Sequence, residues 1–379
     1  MTQPPLALYI HWPFCVSKCP YCDFNSHVRD TVDQAAWREA LLRDLAHEAA
    51  MLPDHTLGSI FFGGGTPSLM PPETVEALIG AALRHWPVQD DVEITLEANP
   101  SSVEAARFAD LSRAGVNRVS LGLQALDASA LSFLGRAHGV DEGLAALEVA
   151  MQHFSRVNFD LIYARPGQSE GDWSAELTRA LALGARHMSL YQLTIEPGTR
   201  FETMVRDGQI DPMGPDAAAA LFELTRAMMA EAGLPAYEVS NHAAPGQESR
   251  HNLAYWRYRN YAGVGPGAHG RRQGLATVRH RKPENWLAAV ARNGHGLASE
   301  TPLTPAEQAR EALVMGLRLA EGVDLDAISA RTGLTELVDQ KQMDIVVREA
   351  MVIQSGSRIT VTPKGMLLLD AILAAIVSA

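Results

Sequence analysis

The sequence predicts an α/β protein in which helices cover a parallel sheet, followed by a smaller α+β module. Six short apolar β patterns alternate with helical patterns at intervals of roughly 30 to 35 residues over the first part of the chain. This is the spacing of parallel strands joined by crossover helices. The pattern changes after Gly233 and again near Thr304. We therefore expect three regions, at residues 1–235, 236–300 and 301–379.

The first region contains the alternating elements. Strands are predicted at Leu6–Trp12, Ser59–Phe62, Val92–Leu96, Arg118–Leu123, Val157–Tyr163 and His187–Leu193. Helices are predicted at Asp33–Leu52, from Pro72, and at Ser102–Ala114, Asp127–His153, Asp172–Gly184 and Pro215–Gly233. Asp33 is a good N-cap, and a proline in the first turn of a helix costs little because its missing N–H has no partner there. Pattern alone does not separate an open doubly wound sheet from a barrel.

The other two regions differ from the first in composition. Residues 236–300 are rich in Gly, Asn, His and Arg and have few periodic runs. In the last region we predict a helix from Thr304 to about Leu319, a short helix that ends near Gly333, and a third helix after it. We also predict a hairpin of Met351–Gln354 with Ile359–Thr362 and a terminal helix over Gly365–Ser378. Three helices and a hairpin predict a winged-helix-like module. Its seven Lys or Arg and eleven acids over residues 300–379 favour packing over DNA binding.

Composition narrows the class of protein. The 379 residues are 47% hydrophobic and 20% charged, as in a soluble globular protein, and the net charge of −12 argues against a nucleic-acid partner. No segment reads as a signal peptide or a membrane span. The three cysteines are clustered, which argues against a disulfide framework and fits a reducing compartment. We therefore predict a cytoplasmic protein.

All the cysteines lie in one loop. Cys15, Cys19 and Cys22 form a C-x₃-C-x₂-C pattern directly after the first predicted strand. Three thiolates are one ligand short of a closed zinc site, which His11 or His27 would have to complete. Alternatively, three thiolates on a [4Fe–4S] cluster leave one iron open to an outside ligand. The spacing alone therefore leaves three interpretations: a zinc site, a [4Fe–4S] cluster, or three ordinary thiols.

Polar residues also follow the other predicted strands. A glycine run, Gly63-Gly64-Gly65-Thr66, comes after the second strand and allows close backbone approach to a ligand. Its N–H groups are expected to be free to bind a carboxylate. The strand-end or strand-interior polar residues that follow are Glu97, Gln124, Arg136 and Asp160. A carboxylate such as Asp160 within an apolar run needs a partner or a ligand.

The cysteine loop, with Tyr21 before its last cysteine, resembles the signature of radical S-adenosylmethionine (SAM) proteins. The resemblance implies a partial (β/α)₆ barrel with chemistry at the carboxyl ends of the strands. It implies that Cys15, Cys19 and Cys22 bind a [4Fe–4S] cluster whose open iron binds SAM. By resemblance to the oxygen-independent coproporphyrinogen oxidase superfamily, the SAM-binding residues are Tyr9, Tyr21, Gly64, Gly65, Thr66, Glu97, Gln124, Arg136 and Asp160.

Within that superfamily the sequence is similar to the HemW family. Phe24 stands where the coproporphyrinogen dehydrogenases have a further cysteine, and only 14 residues precede Cys15. An H-N-x-x-Y-W motif runs from His251 to Trp256. The resemblance implies a heme chaperone that holds heme as cargo and transfers it to an acceptor hemoprotein, respiratory or iron-storage. Peripheral membrane contact is compatible with heme donation, and a nucleic-acid partner is not expected.

Heme requires an axial donor, aromatic faces and cations for its propionates. The candidates for the donor and the faces are His251, Asn252, Tyr255 and Trp256. His242 and His269 are alternative axial ligands. The candidate cations are Arg257, Arg259, Arg271 and Arg272. The same SAM machinery also leaves open oxidative decarboxylation of coproporphyrinogen III, or radical chemistry on another tetrapyrrole.

Overall fold

The structure, a computed structural model, describes residues 5–377. Its strands are β1 (Leu6–Trp12), β2 (Phe14–Cys15), β3 (His27–Val28), β4 (Leu57–Gly64), β5 (Val88–Ala98), β6 (Arg118–Gln124), β7 (Arg156–Tyr163), β8 (His187–Gln192), β9 (Asn241–Ala243), β10 (Tyr261–Val264), β11 (His269–Arg272), β12 (Leu275–Arg279), β13 (Leu297–Pro302), β14 (Val323–Asp324), β15 (Val352–Ser355) and β16 (Arg358–Val361).

Its helices are α1 (Gln34–Met51), α2 (Pro72–His85), α3 (Ser102–Ala105), α4 (Phe108–Arg113), α5 (Ala128–Phe133), α6 (Val140–His153), α7 (Glu170–Ala182), α8 (Arg200–Arg206), α9 (Pro215–Glu231), α10 (Arg250–Trp256), α11 (Pro283–Asn293), α12 (Pro305–Gly316), α13 (Leu325–Thr332), α14 (Gln340–Arg348), α15 (Pro363–Met366) and α16 (Leu369–Ile376). Asp33 caps α1 by accepting a hydrogen bond from the N–H of Ala36, as predicted.

One large sheet organises the molecule. Its eleven strands follow the order β13-β12-β11-β10-β1-β4-β5-β6-β7-β8-β9. The six predicted strands lie side by side in chain order and are parallel, so the predicted α/β fold is confirmed. A seventh parallel strand, β10, pairs with β1 and was not predicted. Among residues 5–377, β13 and β9 are the two ends of the sheet order, so the barrel is open.

The two faces of the parallel strands differ in polarity. On β1, Leu8 and Ile10 belong to the main hydrophobic core together with Leu41 and Leu45 of α1. Tyr9 lies on the opposite face of the strand, because successive side chains alternate. Its ring is stacked on Phe61 of β4 at a centroid distance of 6.2 Å. The helices therefore cover an apolar outer face, while the inner face carries the polar residues of the predicted site.

Two breaks separate the helices between residues 102 and 153. The single helix predicted over 102–114 is divided into α3 and α4 at Arg107, whose guanidinium donates to the carbonyls of Ser68 and Met70. The helical stretches predicted from 127 to 153 form α5 and α6, with the break near Gly135, which has a φ of 66°. A side chain there would meet the ring of Pro20 at 2.6 Å. This second break lets the cysteine loop approach the segment that carries Arg136.

The regions after residue 235 extend the fold in two ways. Strands β9 to β13 continue the main sheet, so sheet pairing runs across the first predicted boundary, and the boundaries at 235 and 300 stay predictions. The last region has its own sheet, β14-β16-β15, and a separate hydrophobic core. The predicted terminal helix forms α15 and α16, and its predicted end at Ser378 lies outside the described residues.

Ile372, Leu373 and Ile376 of α16 are buried in that second core, where the sequence predicted packing. Within residues 5–377, no helix combines the length and the apolar character that crossing a bilayer requires.

Candidate functional site

The cysteine loop is held at both ends by backbone pairing. Its two flanking segments, β2 and β3, pair in parallel, with Cys15 opposite Val28. All three cysteines are free and half-buried. Burial raises the pKa of the Cys15 and Cys22 thiols, and repulsion between like charges adds to this, from Cys19 and Cys22 on Cys15 and from Cys19 on Cys22. The loop therefore brings the three cysteines close enough for their charges to interact.

The glycine run lies against this loop, but not in the way the sequence suggested. The N–H groups of Gly64, Gly65 and Thr66 donate to a Glu97 carboxylate oxygen at 3.1 Å, the Trp12 carbonyl at 2.7 Å and the Phe14 carbonyl at 2.8 Å. They are therefore not free to bind a carboxylate as expected. Gly65 is required because a Cβ there would lie 2.6 Å from the carbonyl oxygen of Phe14.

The hydroxyl of Thr66 connects the run to the first cysteine. It lies 3.5 Å from the Cys15 sulfur as a donor and accepts from the Asn99 amide at 3.2 Å. Thr66 therefore orients a predicted cluster ligand and is itself oriented from the end of β5.

Two carboxyl groups face the barrel interior. Burial and the nearby Asp160 raise the pKa of Glu97 to about 8. Burial also raises the pKa of Asp160, to about 6, although hydrogen bonds from Ser189, Asn158 and Ser120 oppose the shift. In the part of the chain that the structure describes, neither carboxyl forms an ion pair with a side chain. Such a pair of groups is suited to a ligand that brings its own positive charge.

Arg136 joins the cysteine loop to the ends of β5 and β6. Its guanidinium donates to the Cys19 sulfur at 3.4 Å, the Tyr21 hydroxyl at 3.5 Å and the Asn99 side-chain oxygen at 2.7 Å. It also donates to the carbonyl of Gly122 at 3.0 Å. Its buried Nε has no protein partner within residues 5–377. Arg136 thus positions the loop rather than projecting freely into the cavity.

Gln124 ends β6 at an irregularity in the pairing with β7. Its φ of 68° is a left-handed conformation that is rare for a residue other than glycine. Such strain is found where the backbone must aim a side chain at a ligand. The predicted SAM residue Gln124 therefore has an unusual, locally fixed direction at the carboxyl edge of the sheet.

Tyr9 is linked to the cysteine loop through a buried histidine. The Tyr9 hydroxyl lies 2.9 Å from Nδ1 of His11, and Nε2 of His11 lies 3.0 Å from the carbonyl of Asn25. Burial lowers the pKa of His11 to about 4, so its ring is neutral at physiological pH. Both nitrogens are occupied, so His11 is not poised to complete the zinc site considered above. His27, the other zinc candidate, lies 3.3 Å from the Asn25 side-chain oxygen.

These residues fit the two cofactors that the cysteine pattern implies. A cubane cluster uses one thiolate for each protein-bound iron, and the three thiols are free. SAM carries a sulfonium and an amino group, and the unpaired carboxyls of Glu97 and Asp160 supply the complementary charge. Over residues 5–377, no three His, Cys, Asp or Glu side chains converge on a single-ion position.

The H-N-x-x-Y-W motif forms α10, which lies against the inner side of the barrel. His251 is only 1% exposed. Its Nδ1 lies 3.0 Å from the Ser59 hydroxyl, and its Nε2 lies 2.7 Å from the Tyr255 hydroxyl. Its ring is stacked on Phe61 at 4.9 Å and lies 6.4 Å from the ring of Tyr9. The motif therefore packs against the inner face of the barrel beside Tyr9, one of the SAM candidates.

This placement bears on heme ligation. Burial lowers the pKa of His251 to about 3, so the ring is neutral, as an axial ligand requires, but both nitrogens already have hydroxyl partners. Asn252, Tyr255 and Trp256 are half-buried. The axial role of His251 stays a prediction, and it requires Tyr255 or Ser59 to give up a hydrogen bond.

The other heme candidates are dispersed. Arg257 forms a two-bond ion pair with Glu321. Arg271 lies 3.5 Å above the Tyr258 ring, and Arg272 is buried against Glu48 and Glu300. Burial and Arg257 lower the pKa of Arg259. The alternative axial ligand His269 is exposed, whereas His242 is buried and neither of its nitrogens has a partner among residues 5–377.

Sequence reasoning missed two residues that hold the site together. Asn25 fixes the cysteine loop by donating to the carbonyls of Pro266 and Arg281, both at 2.9 Å. Asn99 bridges Thr66 and Arg136. Asn99 was detectable in principle, because it follows Glu97 at the end of a predicted strand. Asn25 was not, because its partners are more than 240 residues away along the chain.

The fold and this site define a radical SAM protein, and comparison with known proteins agrees. The family model of the radical SAM superfamily matches residues 9–179, and that of the HemN C-terminal domain matches residues 303–368. Among solved structures, coproporphyrinogen III oxidase (HemN) from Escherichia coli superposes with a TM-score of 0.82 over 99% of this chain and 90% of that one. At 22% identity, this similarity concerns the fold alone.

Sequence relatives identify the family. The heme chaperone HemW of Escherichia coli (strain K12) is 38% identical over 98% of this chain and 97% of that protein. The mitochondrial radical S-adenosyl methionine domain-containing protein 1 of Bos taurus is 41% identical over 84% of this chain and 74% of that protein. The chain belongs to the HemW family.

Proposed function

We propose that Cys15, Cys19 and Cys22 hold a [4Fe–4S] cluster and that the polar inner face of the barrel beside them binds SAM. When both are bound, the cluster supplies an electron that cleaves the sulfonium. The protein's contribution is to position the ligands. Thr66 and Arg136 orient two of the cysteines, and Glu97 and Asp160 meet the positive charge. The remaining proposed SAM contacts are Tyr9, Tyr21, Gly64, Gly65 and Gln124.

We further propose that the protein is a heme chaperone that carries heme to an acceptor hemoprotein, respiratory or iron-storage. The observation that carries this proposal is the placement of α10, because the motif lies on the inner side of the barrel next to Phe61 and the proposed SAM contact Tyr9. His251 and Tyr9 are within ring-contact distance there. Phe24, which stands where the coproporphyrinogen dehydrogenases have a further cysteine, is 59% exposed.

The test combines binding and transfer. Protein reconstituted anaerobically with iron and sulfide is titrated with heme, and we expect a saturable Soret band. Heme-loaded protein is then mixed with an apo-hemoprotein, and we expect the Soret spectrum of the acceptor to appear. Absence of heme binding by protein with an intact cluster would reject the proposal.

The competing activity is measured on the same preparation. Coproporphyrinogen III is incubated with SAM and a reductant, and vinyl-containing product is assayed. Product formation at a sustained rate would favour the decarboxylase, and its absence beside heme transfer would favour the chaperone.

We propose a cytoplasmic location, with any membrane contact peripheral. The burial of Ile372, Leu373 and Ile376 supports peripheral contact, because these apolar residues of α16 pack in the C-terminal core.

A further inference from the structure

An arginine-lined cavity lies at the end of the barrel opposite to the SAM candidates. It has a volume of about 150 Å³ and is formed where β6, β7 and β8 begin. Arg118, Arg156 and His187 are the first residues of these three strands, and Arg186 and Gln247 complete the polar lining. The rim is open, since Ser155 and Arg186 are exposed.

The cavity is electropositive in a chain of net charge −12. Arg118 is 2% exposed and pairs with Glu93 at 3.2 Å, and Arg156 pairs with Asp91 at 2.8 Å. Arg186, the third arginine of the lining, has no ion pair within residues 5–377, and Arg250, outside the lining, also pairs with Asp91. The three guanidinium groups of the lining and the two carboxylates leave an excess of one positive charge, at Arg186. His187 adds none, because burial lowers its pKa well below its usual range.

The cavity is connected to the motif helix by direct contacts. One oxygen of Glu93 accepts from Arg118, and the other accepts from the backbone N–H of His251 at 3.2 Å. Arg118 also donates to the carbonyl of Gln247, two residues before the cap of α10. On the other side, His187 lies 3.0 Å from the Tyr237 hydroxyl, to which Asn252 donates at 3.5 Å.

We propose that this cavity binds a propionate carboxylate of the heme cargo, with Arg186 as the group that meets it first. The inference rests on the proposed chaperone function and adds an anchoring site to it. The volume suits a carboxylate arm rather than a porphyrin ring, because pockets for whole small molecules begin at about 300 Å³. Guanidinium groups bind carboxylates with two parallel hydrogen bonds, so a ring held outside the cavity gains both orientation and affinity.

Heme and heme dimethyl ester are titrated into wild-type protein and into Arg186→Gln, Arg186→Lys and Arg84→Gln. Arg84 is an exposed arginine on α2 and serves as the matched control. We expect Arg186→Gln to weaken heme binding about tenfold, the loss of roughly one charge-assisted hydrogen bond. Wild-type protein should bind the ester as weakly as Arg186→Gln binds heme. Arg186→Lys keeps the charge but loses the paired hydrogen bonds, so its affinity should fall between those of Arg186→Gln and wild type, and Arg84→Gln should retain all of the affinity.

The outcomes separate the two proposals. If wild-type protein binds no heme, both the chaperone function and the anchoring site are rejected. If it binds heme and its ester equally, or if Arg186→Gln binds heme as tightly as wild type, only the anchoring site is rejected. Inorganic phosphate provides a further arm. Phosphate that protects Arg186 from a guanidine-modifying reagent, beside equal binding of heme and ester, would assign the cavity to phosphate and overturn the propionate proposal.

Discussion

At the scale of single residues, the most informative groups are the two carboxyls in the barrel interior. Buried acids are normally paired with a cation, because an unpaired charge away from water is costly. Glu97 and Asp160 instead have hydrogen bonds without an ion pair, and their pKa values are raised to about 8 and about 6. A cationic ligand reverses this shift, since it stabilises the ionised forms. Ligand binding and deprotonation of Glu97 are therefore coupled.

The coupling predicts how SAM binding responds to pH. At pH 7 most Glu97 side chains are protonated, and at pH 9 most are ionised, so affinity should rise about tenfold between these values. Glu97→Gln should abolish that rise, as measured by equilibrium dialysis of SAM against reconstituted protein. Titration of SAM itself is common to both proteins, so the difference between the two curves isolates Glu97. Exposed Glu73 provides the control, Glu73→Gln. Parallel curves for Glu97→Gln and wild type would contradict the coupling.

His251 supports the fold whether or not it binds heme. Truncation to alanine removes a buried ring and leaves the hydroxyls of Ser59 and Tyr255 without their partner. We expect His251→Ala to lower the free energy of unfolding by about 2–4 kcal/mol, measured by urea denaturation without heme. His85→Ala, at an exposed position on α2, should have almost no effect. Equal stability of the two variants would show that the buried hydrogen bonds contribute little.

A substitution at Tyr255 separates the effect on heme ligation from the effect on protein stability. Tyr255→Phe removes the hydroxyl 2.7 Å from Nε2 of His251 and leaves the imidazole in place. If His251 is an axial ligand, freeing Nε2 should strengthen heme binding and increase the Soret band at a given heme concentration. If another group binds the iron, the heme spectrum of Tyr255→Phe should be unchanged, and loss of heme by His251→Ala should follow loss of stability.

At the scale of elements, the cysteine loop depends on contacts supplied by distant segments. Asn25 fastens it to the carbonyls of Pro266 and Arg281, Gly135 admits Pro20, and Arg136 reaches Cys19. The loop itself has little regular structure between β2 and β3. Its shape is therefore set by the barrel edge around it rather than by its own sequence.

Removing the hydrogen bonds of the Asn25 side chain should expose the cluster. Asn25→Ala eliminates the two hydrogen bonds to the Pro266 and Arg281 carbonyls, each worth about 1 kcal/mol. This loss is enough to increase the population of a detached loop by an order of magnitude. We expect several-fold faster loss of cluster absorbance in air, with little change in the unfolding midpoint. Exposed Asn293→Ala is the matched control. Cluster loss at the wild-type rate in Asn25→Ala would mean that the loop is held by other contacts.

The difference between local sequence pattern and contacts from distant segments also explains which features the sequence could predict. The six parallel strands were predictable because runs such as Leu6–Trp12 and Val157–Tyr163 are apolar, and the cysteines because their spacing is specific. Strand β10 was missed, since Tyr261–Val264 is short and lies in a glycine-rich stretch. The occupied N–H groups of Gly64 to Thr66 were missed because their partners, such as Phe14, are fixed only by strand register. Local pattern predicted the elements, and tertiary contacts determined which polar groups stayed free.

At the scale of the whole molecule, a buried ion cluster joins α1 to the added strands. The carboxylate of Asp44 accepts from Arg279 at 2.7 Å and from the backbone N–H groups of Gly265 and Gly296. Glu48, one turn further along α1, accepts from Arg279 at 2.9 Å. Asp44, Glu48 and Arg279 are fully buried. The cluster connects the first region with residues 236–300, and the loop that carries Pro266, the partner of Asn25, depends on it.

Breaking this cluster from one side should therefore affect the entire barrel. Arg279→Met keeps the volume but leaves Asp44 buried without its cation and Glu48 with Arg272 alone, so we expect a loss of about 3–5 kcal/mol in the free energy of unfolding. Urea denaturation measures it, with the exposed Arg292→Met as the control. Replacing a carboxylate as well, in Asp44→Asn with Arg279→Met, should recover part of the loss, because the two groups are coupled.

The pH dependence provides an independent check of the same cluster. Burial alone would raise the pKa of Asp44, but the charge and hydrogen bonds of Arg279, with the two backbone donors, hold it below its usual value. The stabilisation is therefore complete above the ordinary aspartate range and is lost as the pH falls through it. In Arg279→Met, the effect of burial is opposed only by hydrogen bonds from neutral groups such as the two backbone donors, so the Asp44 carboxyl takes up a proton at higher pH and the free-energy deficit should shrink between pH 7 and pH 5. A deficit that is constant over this interval would show that lost packing, rather than an unpaired charge, accounts for the instability.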